Sequence, residues 1–207
     1  MYEFEQQANN LGYHLVAGCD EAGRGPLAGP LVCAAVILNP LDNIDGLYDS
    51  KGLSAKKRLA LFDEIKSRAL SYQIVFIDVV TVDKMNVYQA SKAGMINALK
   101  GLNIQPDYVL TDAMPLGNFS VPHQAIIKGD QLSASIAAAS ILAKVSRDHY
   151  MEKLHDRYPE YGFNRHKGYP TKMHLKAIND YGITLEHRKS FKPVQAVLER
   201  QLQLKLK

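Results

Sequence analysis

Apolar and polar positions change period several times along the chain, and each change marks a predicted element. Residues 13–19 and 31–38 are apolar, β-rich runs, separated by a Gly/Pro-rich turn from Gly23 to Pro30. Ser54 reads as the N-cap of a helix through about Leu70, with Leu59, Phe62, Ile65 and Ala69 as its buried stripe. Strand character returns over 72–80, a helix is predicted over 82–100 ending near Gly101, and short strands follow at Tyr108–Thr111 and Ala125–Ile127. From Ser133 the pattern turns helical. An Ala-rich segment spans 134–156, Thr171 can cap a helix to Asp180, and Pro193 can open a last one. Strands alternating with helices, then a run of helices, predict a central sheet covered by helices plus a helical C-terminal extension.

Composition adds little to that picture, and charge adds more. Of the 207 residues 46% are hydrophobic and 22% charged, ordinary for a globular chain. Residues 143–207 carry fourteen Lys and Arg against seven Asp and Glu, whereas residues 1–142 carry eleven against fourteen. An acidic body with a basic final third suits a polyanion partner held against an acidic site. Cys19 and Cys33 lie in apolar runs at a spacing that makes neither a disulfide framework nor a zinc site, so both are expected as small buried hydrophobes. No apolar run approaches the ~20 residues needed to span a bilayer. The opening Met1-Tyr2-Glu3-Phe4-Glu5 lacks the features of a signal peptide, so a cytoplasmic location is expected.

The candidate chemistry is acidic. Asp20 and Glu21 end the first predicted strand, Asp112 ends Tyr108–Thr111, and Asp130 closely follows Ile126-Ile127. Ligands of open α/β sheets bind where strand ends converge. A lone Asp there is usually a turn residue or cap. Four acidic groups so placed suggest a divalent-cation site, because hard cations prefer carboxylate oxygen and clustered carboxylates repel without one.

The motifs are more specific. Asp20-Glu21-Ala22-Gly23-Arg24-Gly25-Pro26-Leu27-Ala28-Gly29-Pro30 resembles the N-terminal signature of the type 2 ribonucleases H. Asp49-Ser50-Lys51, Lys128-Gly129-Asp130, the run from Ala137 to Asp148, His166-Lys167-Gly168-Tyr169-Pro170-Thr171 and His187-Arg188-Lys189-Ser190-Phe191 resemble further family motifs, in family order over about residues 14–194. Without the long N-terminal extension of ribonuclease HIII, the chain looks like a bacterial ribonuclease HII. The resemblance implies a ribonuclease H-like mixed five-stranded sheet flanked by helices, with a catalytic domain over 1–185 and a C-terminal helical segment over 186–207 on or near the substrate groove. It implies a manganese- or magnesium-dependent endonuclease that cuts RNA paired to DNA and incises 5′ of ribonucleotides embedded in duplex DNA.

Residue by residue, the resemblance carries metal binding onto Asp20, Glu21, Asp112 and Asp130, and ribose recognition onto Gly23, Arg24, Gly25 and Tyr169. Two metals could activate a water and stabilise the departing 3′-oxygen, with Asp20 and Asp112 bridging and Glu21 and Asp130 each completing one shell. Adjacent strand residues point to opposite faces, so Asp20 and Glu21 share a site only if the strand ends there. Lys51, Lys128, Lys144 and Lys167 are candidates for phosphate contacts. Asp112 is followed by Ala113-Met114 where the family often has glycine, and Gly52 stands where it often has lysine. Asp148 with Arg147 reads as a solvated helix pair, and His166, His174 and His187 as loop or surface residues. A monomer is the default expectation, and the C-terminus is a place where a replication clamp could bind. Two rival readings stay open: a junction resolvase or integrase, which would cut all-DNA duplex, and a basic nucleic-acid-binding protein with a structural acidic cluster.

Overall fold

The computed structural model describes residues 1–47 and 52–205, with side chains through residue 203. Five strands, β1 (Val16–Ala22), β2 (Leu31–Ile37), β3 (Ser71–Ile77), β4 (Tyr108–Asp112) and β5 (His123–Ile126), form one sheet in the order β3-β2-β1-β4-β5. β2 runs antiparallel to β1, while β4 runs parallel to both β1 and β5, so the sheet is mixed. β2 is buried at every position, as a continuous apolar run covered on both faces should be.

The helices are α1 (Glu3–Asn10), α2 (Ala55–Arg68), α3 (Val79–Met85), α4 (Val87–Lys100), α5 (Gly129–Leu132), α6 (Ala134–Arg157), α7 (Phe163–His166), α8 (Lys172–Tyr181) and α9 (Lys192–Lys205). None of the described helices is long and apolar enough to cross a membrane. By contacts the chain forms two compact units. One comprises Met1–Ala22, Val32–Phe76 and Ser91–Ser146; the other comprises Gly23–Leu31, Ile77–Ala90 and Arg147–Lys207, which includes the final residues 186–207.

The first unit holds nearly all of the sheet. Val32, Ala34 and Val36 pack against Phe62 and Ile65 of α2 and Ala138 of α6, and each fully buried Ile or Phe contributes about 1.5–3 kcal/mol. On the opposite face, Cys19 Sγ donates to Met95 O at 3.9 Å and Cys33 Sγ to Ser91 O at 3.6 Å, which places α4 there. Both cysteines are buried and free, as expected. Gly18 is needed for a close approach: a Cβ there would stand 2.0 Å from the Ser135 carbonyl carbon, so the first turn of α6 rests on the β1 backbone. Glu5 of α1 fastens that turn, its Oε1 accepting from Ser135 N at 2.8 Å and Ser133 Oγ at 2.6 Å, a favourable charge at a helix N-terminus.

The second unit packs Leu27 and Ala28 of the Gly23–Leu31 loop with Met151 of α6, Phe163, Ile178 of α8 and Val194 of α9. Asp83 of α3 accepts from the backbone N–H groups of Lys189 and Ser190 at 2.7 and 3.0 Å.

Several boundaries differ from expectation. The buried stripe of α2 is Leu61, Phe62 and Ile65; Leu59 is 43% exposed and Ala69 is the C-cap. The helix expected over 82–100 is broken at Asn86, whose backbone is left-handed (φ 66°) and whose Oδ1 accepts from Tyr88 N and Gln89 N, starting α4 afresh. The Ser54 and Thr171 caps form as expected, each hydroxyl accepting the N–H three residues on.

Candidate active site

The first strand does not end at its acidic pair. β1 continues through Asp20 (opposite Ala34) and Glu21 (opposite Cys33) to Ala22 (opposite Val32), and the chain turns only at Gly23, where φ is 103°. The pleat therefore puts Asp20 on the α6 side with Gly18, hydrogen-bonded to Ser140, and Glu21 on the Cys33 side. The two still act on each other. Asp20 is 5% exposed. Burial first, then the charges of Glu21 and Asp112, push its carboxyl well above the ordinary value, against hydrogen bonds from Ser140 and the Glu21 N–H. The Cys33 thiol is pushed up by burial, then by Glu21 and Asp20.

Asp112 closes β4. Cys19 opposite Thr111 is the last pair of the β1–β4 ladder, so Asp20 and Asp112 leave neighbouring parallel strands side by side and on one face. Asp112 Oδ1 accepts from Gly129 N at 2.8 Å and so fixes the start of α5. Asp130, 2% exposed, lies in the first turn of that short helix, whose N-cap Lys128 is left-handed and exposed. Asp20 and Asp112 thus lie side by side at one sheet end, with Asp130 one residue from the Asp112 contact, while Glu21 follows on the other face of β1, near enough for its charge to act on Asp20. In this conformation Asp20 Oδ1 is turned onto the Glu21 N–H at 2.7 Å. Among the described residues, no three His, Cys, Asp or Glu side chains are grouped as a ready-made metal cage. The donors themselves suit a hard cation, being carboxylate oxygens whose mutual repulsion a cation would relieve.

The glycine loop and Tyr169 are brought together within the second unit. A Cβ on Gly25 would stand 3.4 Å from Tyr169 Cε1, so the ring lies over this backbone while remaining 46% exposed. Gly23 allows no side chain, since its Cβ would stand 2.3 Å from Arg147 Nε. Arg147 is not the solvated residue expected from the sequence. It is 1% exposed, and it donates to Pro30 O (3.0 Å), Lys167 O (2.9 Å) and Ala28 O (3.1 Å). Arg188, fully buried, donates to Gly29 O at 2.9 Å and Arg24 O at 3.2 Å. Burial lowers Arg147 to about 10 and Arg188 to about 9, the latter also through repulsion by Arg147. Two guanidinium forks thus hold one loop by its carbonyls, which leaves the Arg24 side chain exposed.

Lys51 lies outside the described residues. Lys144 is half-buried on α6, and Lys167 pairs with Glu152 at 3.1 Å. Asp148 is half-buried beside Arg147 and raises its pKa. His166, His174 and His187 are buried, not on loop surfaces: the His166 and His174 rings stack at 4.5 Å, and His174 Nε2 meets His187 Nε2 at 3.0 Å. Sequence reasoning missed this cluster and both buried arginines. The available signal was that Arg147, His166, His174 and His187 sit in or beside the motif runs without a chemical role.

A mixed five-stranded sheet of this order, flanked by helices and carrying carboxylates at the ends of neighbouring parallel strands, defines a metal-dependent nuclease of the ribonuclease H-like fold. A sequence profile of the ribonuclease HII family matches residues 17–194. The chain is 53% identical over 195 residues to the ribonuclease HII of Halalkalibacterium halodurans, covering 94% of this chain and 74% of that protein. The ribonuclease H2 from Pyrococcus horikoshii OT3 superimposes with a TM-score of 0.78 at 27% identity, covering 90% of this chain and 98% of that one. A chain of the PCNA:RNase HII complex from Archaeoglobus fulgidus gives 0.72 at 25% identity, covering 86% and 96%. The chain belongs to the ribonuclease HII family. It is an enzyme of the ribonuclease H class, an endonuclease acting on RNA/DNA hybrids.

Proposed function

We propose that the enzyme, besides hydrolysing the RNA strand of hybrids, incises 5′ of ribonucleotides embedded in duplex DNA, leaving 3′-hydroxyl and 5′-phosphate ends. The observation that carries the chemistry is the placement of Asp20 beside Asp112 on neighbouring parallel strands, with the Asp20 carboxyl pushed up by burial and by the charges of Glu21 and Asp112. These three and Asp130 would hold two divalent cations, Mn²⁺ or Mg²⁺, with Asp20 and Asp112 shared between them. When bound, the cations supply an activated water and neutralise charge on the leaving oxygen. The chain's own contribution is placement. The ladder fixes Asp20 beside Asp112, and the Gly129 N–H orients Asp112 while tying it to the turn that bears Asp130.

Ribose selection belongs to Gly23, Arg24, Gly25 and Tyr169. The glycines leave backbone groups open to a 2′-hydroxyl, the group that separates RNA from DNA. The half-exposed Tyr169 ring offers a flat face to the next sugar, which favours a deoxyribonucleotide there. Lys51, Lys128, Lys144 and Lys167 serve the phosphates. Residues 1–185 make up the catalytic portion in this reading, and 186–207 a helical segment near the substrate groove. The protein acts as a cytoplasmic monomer with its C-terminal segment as the place for a clamp contact; the PCNA complex of the Archaeoglobus relative supports such a contact in general.

The test is Asp20→Asn and Asp112→Asn. Each should nearly abolish turnover while leaving the circular dichroism spectrum and the affinity for ribonucleotide-containing duplex close to unchanged. Retained activity in both variants would refute the assignment.

A further inference from the structure

Two of the three buried histidines, His187 and His174, are hydrogen-bonded in sequence, and the third, His166, stacks on His174. Their protonation follows from the partners. Tyr169 O can only accept, so the 3.0 Å contact with His174 Nδ1 puts a proton on that nitrogen and leaves a lone pair on Nε2. The Thr184 N–H donates to His187 Nδ1 at 2.9 Å, so His187 carries its proton on Nε2. The 3.0 Å contact between the two Nε2 atoms is therefore a bond from His187 to His174. His166, stacked on His174, donates from Nε2 to Tyr161 O at 2.8 Å and accepts from Gly168 N at 3.2 Å. The path has one direction, from Thr184 N–H through His187 and His174 to the carbonyl of Tyr169, and it requires all the rings to be neutral. Burial keeps them so, lowering His174 to about 4 and His187 to about 3.

The other end of this segment grips the glycine loop. His187 bridges Ala28, the Arg188 N–H donates to Leu27 O at 2.8 Å, and the Arg188 guanidinium holds the carbonyls of Gly29 and Arg24. Glu186 O in turn accepts from Gly29 N at 2.8 Å. Three consecutive residues, Glu186 to Arg188, thus hold the backbone of Leu27–Gly29 directly, Arg188 reaching on to Arg24 O, and hold that of Tyr169 through the His174 imidazole.

Packing alone does not account for this. Phe163 already lies beside these rings, and an apolar side chain would fill the same volume without burying polar nitrogens. Polar groups in such a place favour one geometry over its alternatives.

We propose that His174, His187 and Arg188 are positioning residues for ribonucleotide selection, setting Tyr169 against the Gly23–Gly25 loop in the geometry that favours an embedded ribonucleotide. This rests on the reading of Tyr169 and the glycine loop given under Proposed function.

The experiment compares kcat/KM on duplex DNA carrying one ribonucleotide with kcat/KM on a uniform RNA/DNA hybrid. It uses the full chain and the variants Tyr169→Ala, His174→Phe, His174→Asn and the double variant Tyr169→Ala/His174→Phe. His174→Phe keeps the stacked ring but loses the donor, and should lower the selectivity ratio about fivefold, the value of one net hydrogen bond. His174→Asn places an amide N–H where Nδ1–H was and should recover most of the ratio. In the Tyr169→Ala background, His174→Phe should lower the ratio no further. The inference is overturned if Tyr169→Ala lowers the ratio while His174→Phe leaves it alone, or if Phe and Asn lower it equally. An unchanged ratio in Tyr169→Ala would instead remove the ribose-selection reading on which the inference stands. Nitrogen-15 spectra of the wild-type histidines give a check that needs no variant to fold. Nδ1–H on His174 with Nε2–H on His187 is expected near neutral pH, and a charged ring or the opposite tautomers would overturn the relay.

Discussion

Replacing Gly23 with alanine separates the loop's geometry from its chemistry. The backbone there sits at φ 103°, and a left-handed residue costs a side chain about 1–2 kcal/mol. The added Cβ would also stand 2.3 Å from Arg147 Nε and 2.9 Å from Pro30 O, distances no relaxed structure holds. Arg147 has little room to move, being buried and bonded to three carbonyls. Losing even one hydrogen bond of a charged group costs about 1.5–3 kcal/mol. Gly12 is the control, since it has φ 92° and nothing within 4 Å of a Cβ. Gly12→Ala should thus cost about 1–2 kcal/mol, and Gly23→Ala about 1.5–3 kcal/mol more from the Arg147 displacement. At about 2–4 °C per kcal/mol for a chain of this size, the two melting temperatures should differ by roughly 3–12 °C. Calorimetry at pH 7.5 on both variants gives the comparison. Equal melting temperatures would mean that Arg147 is free to move and does not hold the loop.

Two further outcomes follow from the structure. His174 and His187 have folded pKa values near 4 and 3, below the ordinary 6.5 that the unfolded chain regains. Below pH 6.5 the unfolded state binds protons that the folded state refuses, so stability should fall with acidification at up to about 1.4 kcal/mol per pH unit for each histidine. Urea midpoints between pH 7 and 4.5 measure this, and a flat profile would mean the rings are not held neutral. Ala113 is left-handed at φ 50°, so Ala113→Gly should stabilise the fold by about 1 kcal/mol with activity retained. A lower melting temperature would show that the turn after β4 depends on the alanine methyl.

The acidic residues were legible as candidates because each comes shortly after an apolar run in the sequence itself. Asp20, Glu21, Asp112 and Asp130 each follow an apolar β-rich run. The place where β1 ends was not legible, because Asp20 and Glu21 continue the ladder against Ala34 and Cys33, and pairing across strands leaves no local signal. The phase of α2 was ambiguous for a related reason. Leu59-Ala60-Leu61-Phe62 offers two adjacent stripes, and contact with β2 selects the one through Leu61 and Phe62. Arg147 and the histidines were misread because charge and polarity predict exposure unless partners are known. Their partners here are carbonyl oxygens and each other, with Pro30 lying 117 positions from Arg147 and His187 thirteen from His174. Asn86 breaks a helix that apolar periodicity alone carries through, since only its left-handed backbone and side-chain cap mark the boundary.

Ribonucleotide incision by a carboxylate-held metal site is tested most directly by cleaving end-labelled duplex DNA that carries one embedded ribonucleotide, with Mn²⁺, Mg²⁺ or chelator and an all-DNA duplex alongside. The predicted result is a single metal-dependent cut 5′ of the ribose, lost with chelator and absent from the all-DNA duplex. Cutting of the all-DNA duplex, or no cut at the ribonucleotide with either metal, would contradict it.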